Sequence, residues 1–205
     1  MQTTGHLAFR AAKVVSAALC VWLLAGCWVY SVYPLADKND DLVFDKALLG
    51  NWSQPSGCSL TFSRFFEEKT YRVVYASPSS RNGDCLLDAG KTAAFEGRLV
   101  EIGGVRFLDA IPADREAMHH QIVVHSFYKL KLQGDDLTLS PLDINWLRAQ
   151  MNQGTLSLTM RDDGDAGVVL TSPTDKLRDF LTDYASTDQA FVNDPRLKFH
   201  RRSEQ

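Results

Sequence analysis

The chain lacks the groups that usually announce catalysis. No Gly-x-Ser-x-Gly turn offers an activated serine, and no glycine-rich phosphate or dinucleotide loop is present. Its four cysteines include no Cys-x-x-Cys pair, the spacing common to zinc and redox sites. An excess of positive charge is missing too: 22 basic against 25 acidic residues leave a net charge of −3, so no broad affinity for nucleic acid is implied. The most apolar stretch, residues 14–24, contains Ser16 and falls short of the roughly 20 apolar residues that a membrane-spanning helix needs.

That stretch has another use. Arg10 and Lys13 precede it, no acid lies within residues 1–26, and small residues follow it, which is the build of a removable signal peptide. Its end, Leu24-Ala25-Gly26-Cys27, resembles the lipobox of bacterial lipoproteins. The resemblance implies cleavage after Gly26, a diacylglyceryl group on the Cys27 sulfur and acylation of the new amino terminus. One acyl chain binds a membrane reversibly, whereas two or three hold for good, since each buried methylene contributes about 0.8 kcal/mol. Trp28 stands where an aspartate marks retention in the inner membrane of enteric bacteria, which favours the outer membrane, facing the periplasm. An ordinary secretory signal, or a signal anchor with an accidental cysteine, is the competing reading. The implied layout is a signal peptide over residues 1–26, a lipidated tether over 27–41 and one globular domain over 42–205. In the tether, Trp28, Tyr30 and Tyr33 are amphipathic aromatics suited to headgroup level.

Removing residues 1–26 takes away Arg10 and Lys13, so 20 basic residues face 25 acidic ones, a net −5. Cys20 leaves with the signal and Cys27 is lipidated. Cys58 and Cys85 remain, and in an oxidising compartment an even pair suggests one disulfide worth about 3 kcal/mol. Two free thiols, or half of a metal site, are the alternatives.

From Leu60 onward, period-two alternation between turn residues indicates antiparallel strands. Leu60, Phe62 and Phe66 share a face and pair with Tyr71, Val73 and Tyr75 around Glu67-Glu68-Lys69. A second hairpin joins residues 92–102 to 105–110 through Gly103-Gly104, with Phe95, Leu99, Val105 and Phe107 as core. A third joins residues 122–132, dry at Tyr128, Leu130 and Leu132 but wet at Lys129 and Lys131, to residues 137–139. In a fourth, Leu156, Leu158 and Met160 face residues 168–170 across an acidic turn. Ser140-Pro141-Leu142-Asp143 and Ser172-Pro173-Thr174-Asp175 each predict a helix with a serine N-cap and a proline at its first position. These helices run to about residues 152 and 185. The last strand falls within residues 196–200. The expected fold is mainly β (α+β): a strongly curved antiparallel sheet or small barrel of seven to nine strands with two covering helices.

Ahead of the strands, Asp45 to Leu49 form a short helical turn leading into Gly50-Asn51-Trp52. This resembles the first motif of lipocalins, which implies a barrel whose floor is closed by Trp52, with Arg201 or Arg202 as the late basic partner. The second lipocalin motif is not evident, and two internal helices depart from a plain lipocalin barrel.

His119, His120 and His125 are the candidate metal ligands, but no fourth ligand is apparent, and His125 has the parity of the wet lysines. The aspartates around Gly164 resemble a calcium loop in composition only. No motif implies a cofactor. The sequence therefore points to a membrane-anchored, non-enzymatic module that binds a small apolar ligand or an envelope protein. The rival is an envelope hydrolase or metal-binding protein using the His119 to His125 region.

Overall fold

The computed structural model describes residues 28–38, 41–66, 69–80, 84–114, 122–164 and 167–202. Residues 1–27, including Cys27, and the segment holding His119 and His120 lie outside these. The strands are β1 (Val29–Ser31), β2 (Leu42–Val43), β3 (Gly50–Ser53), β4 (Ser59–Arg64), β5 (Thr70–Ala76), β6 (Thr92–Ile102), β7 (Val105–Pro112), β8 (His125–Gln133), β9 (Asp136–Pro141), β10 (Met160–Asp162), β11 (Val168–Leu170) and β12 (Lys198–Arg201). Helix α1 spans Ile144–Asn152 and α2 spans Thr174–Tyr184.

Eight strands close into an antiparallel barrel in simple chain order. β3 to β9 pair successively, β9 pairs with β12, and β12 returns to β3. Both helices, with β10 and β11, are inserted between the seventh and eighth barrel strands. Strands β6, β7 and β8 outrun their neighbours. Where β5 stops at Arg98, β2 takes over the edge of β6 at Leu99 and Val100. Where β9 stops opposite Tyr128, β1 takes over the edge of β8 at Ser126 and His125, and β11 and β10 extend the sheet beyond it.

The long strands are consequently buried on both faces. Inside the barrel, Trp52, Leu60, Phe62, Tyr71, Leu99, Leu108 and Phe199 form one core. Outside it, Val100, Phe107 and Phe127 meet Leu147 of α1 and Leu177 and Phe180 of α2 in a second core. The four residues expected together around Gly103-Gly104 are divided between them: Phe95 and Leu99 point into the barrel, while Val105 and Phe107 lie under the helices.

Three local expectations need correction. Phe66 is 96% exposed, because strand pairing ends at Arg64 and alternation loses its meaning in the turn. Helix α1 starts after Asp143, whose carboxylate accepts from the Asn145 and Trp146 amides (2.8 and 3.0 Å); Pro141 still belongs to β9. Helix α2 has Pro173 itself at the N-cap, while the Ser172 hydroxyl accepts from the Thr159 amide at 2.7 Å, tying the helix start to the chain before β10.

The largest correction concerns the tether. Residues 28–38 belong to the fold. β1 is a strand of the sheet, Trp28 packs edge-on against Tyr128, and Leu35 and Ala36 are buried. These backbone groups have partners far away in sequence, which spacing alone does not reveal.

Candidate functional site

The floor of the barrel is built by three interlocked residues. A 3-10 turn over Lys46–Leu48, capped by the Asp45 carboxylate, presents a run of carbonyls. Trp52 Nε1 donates to the Leu48 carbonyl (2.9 Å), and Arg201 Nη1 donates to that of Leu49 (3.0 Å) while Nη2 reaches Ala47. The Arg201 guanidinium lies over the Trp52 ring, 4.1 Å from its centroid, so cation and indole close the floor together. Gly50 fits because its φ is +121° and a Cβ there would meet Arg201 Nη1 at 3.2 Å. Of the two late arginines, Arg201 is the partner of Trp52; Arg202 donates its backbone amide to the Asn51 carbonyl.

Above this floor, around Gly97, the barrel interior is occupied by its own side chains. Gly97 shows how tightly: a Cβ added there would stand 2.9 Å from Val73 Cγ2 and 3.1 Å from Leu108 Cδ1, inside normal carbon contact. Gly97→Ala should cost about 1–3 kcal/mol by overpacking, read from the denaturation midpoint. Tyr71 and Tyr128 also belong to this interior, and burial pushes both hydroxyls up to about 12. The neighbouring Tyr30 adds to the shift of Tyr128, whereas the backbone hydrogen bond at Asp45 opposes that of Tyr71. Folding therefore favours their protonated forms: this contribution is complete below pH of about 10 and is lost as pH rises through about 12. A spectroscopic titration should show both rings ionising after free tyrosine does, with stability falling over that window.

The histidine region has a structural use. His125 does point to the outer face, as its parity requires, but that face is covered: its side chain is only 12% exposed and its Nδ1 lies 2.7 Å from Asp109 Oδ1. Asp109, 1% exposed, accepts from the Leu35 amide through Oδ2 at 2.9 Å. From the other side Arg178 donates to the Leu35 carbonyl (3.0 Å) and Thr174 to that of Pro34 (2.8 Å). The segment after β1 is thus clasped between the barrel wall and α2. Across the strand pair from His125 stands Ser31, which would complete a serine, histidine and aspartate set. Its hydroxyl is fully buried, donating to the Tyr33 carbonyl and accepting from the Tyr33 amide, so it cannot meet a substrate. Among the described residues no three His, Cys, Asp or Glu side chains converge as metal ligands.

Cys58 and Cys85 form the expected disulfide, with Cα atoms 5.9 Å apart, and it pins the β5–β6 connection to the start of β4. Reduction should cost about 2–5 kcal/mol, measured as a fall in melting temperature. Among the described residues, a surface groove of about 150 Å3 lies beside Cys85 and another of about 250 Å3 between residues 155–158 and α2; neither is lined by inward-facing strand residues.

The chain matches no protein-family model, no curated protein and no solved structure significantly.

Proposed function

We propose that the protein is a lipoprotein of the bacterial cell envelope, anchored by acylated Cys27 in the outer membrane and facing the periplasm. Its barrel serves as a rigid, non-enzymatic scaffold whose outer surface binds an envelope protein. The observation that carries the choice of a protein over an apolar small molecule is the occupied interior around Gly97, where even a methyl group would collide. The chain-order barrel and the Gly50, Trp52 and Arg201 floor support a lipocalin-like origin, with the ligand cavity given up to side chains.

The rival reading, a hydrolase or metal protein built on His119, His120 and His125, has less support, because His125 is committed to Asp109 and Ser31 to Tyr33.

Two measurements test the proposal. Cys27→Ser should leave the signal uncleaved or release the protein from membranes; unchanged processing and membrane retention would sink the anchor. Apolar dyes and fatty acids should show no saturable binding to the native domain, and photo-crosslinkers on its exposed outer positions should capture an envelope protein. Saturable one-to-one uptake of an apolar ligand would reverse the choice.

A further inference from the structure

We infer that the barrel is clamped against the bilayer in one fixed orientation, and that the surface meeting the headgroups is the side where β9 leaves β8 and β11 meets Trp28. The inference rests on the lipid-anchor reading of Cys27 and adds to it the docking surface. Had residues 28–41 been an extended tether, at about 3.3–3.6 Å per residue they could have held the domain up to roughly 45–50 Å from the anchor.

The fold removes that slack from its first described residue. The Trp28 carbonyl accepts from the Val168 amide at 3.1 Å, and Val29, Tyr30 and Ser31 run in register with residues 168–170. The Val32 amide donates to the Leu170 carbonyl at 3.0 Å, and the clasp on Pro34 and Leu35 follows at once. Gly167 provides the seat: a Cβ on it would lie 2.4 Å from the Trp28 carbonyl oxygen, so only glycine lets the chains approach.

Adjacent Cα atoms are about 3.8 Å apart, so an acyl chain on the residue bonded to Trp28 starts one residue from the sheet. The bilayer that takes up that chain must come to the same place. No intervening spacer allows the domain to turn over.

The end of β10 and the turn after it carry Asp162 and Asp163, which would be repelled by anionic lipid if unpaired. Arg148 answers Asp162 in two bonds (2.7 and 2.6 Å) and also donates to the Gly164 carbonyl, and Arg161 donates to Asp163 at 2.7 Å. Asp162 and Asp163 are therefore presented as ion pairs, while Asp165 of the same turn lies outside the described residues. In the ring of eight strands, the junction of β4 with β5 is diametrically opposite that of β8 with β9, so exposed Ser63 marks the far side.

The test uses the full acylated protein in phosphatidylethanolamine and phosphatidylglycerol vesicles containing a headgroup spin label. Asp163→Cys and Ser63→Cys, each carrying a fluorophore, report the near and far sides. Quenching should be several-fold stronger at 163 than at 63. A flexible Gly/Ser insert of about ten residues between Cys27 and Trp28 should abolish the difference while leaving β1 intact. Equal quenching at both positions, with acylated Cys27 confirmed by mass, would overturn the clamp alone. Absence of acyl mass on Cys27 would overturn the anchor and the clamp together.

Discussion

Trp52→Ala should destabilise the domain by about 3–5 kcal/mol, the range for deleting a large buried aromatic. The ring is fully buried and supports three partners: the Leu48 carbonyl on its nitrogen, the Arg201 guanidinium on its face, and the inner core around it. Its loss opens the barrel floor and leaves Arg201 without the surface that holds it over the 3-10 turn. Trp52→Phe keeps a ring for the guanidinium and some of the volume but loses the hydrogen bond, so it should cost clearly less. Chemical denaturation of the two variants gives the comparison. Equal losses would show that volume and ring contact contribute little and that the single hydrogen bond dominates.

Asp109→Ala should be comparably damaging, at about 3–5 kcal/mol, because removing one member of a buried polar group strands the others. The His125 ring would lose its Asp109 partner, and the Leu35 amide, in the segment that follows β1, would lose its acceptor. Asp109→Asn retains an oxygen for one of the two contacts and should cost less. The consequence is also local: in Asp109→Ala, protease cleavage within residues 32–37 should speed up more than global unfolding predicts. If cleavage only tracks global stability, the clasp is not what holds this segment down.

Much of the fold was legible because the information is local. Alternation in residues 60–75, 92–110 and 128–139, with polar or glycine-containing turns between runs, identifies three hairpins of the barrel. The single disulfide follows from counting cysteines, and the Trp52 floor from a three-residue pattern. What stayed hidden depends on distant partners. Glu96, Arg98 and Asp109 look like a solvated face in the sequence, yet they alternate in charge across β6 and β7, Glu96 and Arg98 pair at 2.7 Å, and both acids are buried. On β8 the same face looks wet from Lys129 and Lys131, yet Lys129 donates to the Ala185 carbonyl at the end of α2. Residues 28–38 look like a tether because the groups that hold them, Asp109, Val168, Thr174 and Arg178, lie some 75 to 140 positions away. The start of α1 was misplaced because Ser140 and Asp143 are both good caps, and pairing of β9 with β8 through Pro141 settled the choice.

The candidate site was less legible than the fold. His125 was placed on the correct face from parity, but its role in fixing the chain after β1 depends on Asp109, and no spacing rule links residues on separate strands. The occupied barrel interior depends on how eight strands fit together around Gly97, which a single sequence does not encode in any short pattern.

The most direct test of the lipid anchor is the mass of the amino-terminal peptide from protein extracted from membranes. That peptide should begin at Cys27 and carry a diacylglyceryl group and an amide-linked acyl chain. A chain that begins elsewhere, or one whose Cys27 is unmodified, would contradict it.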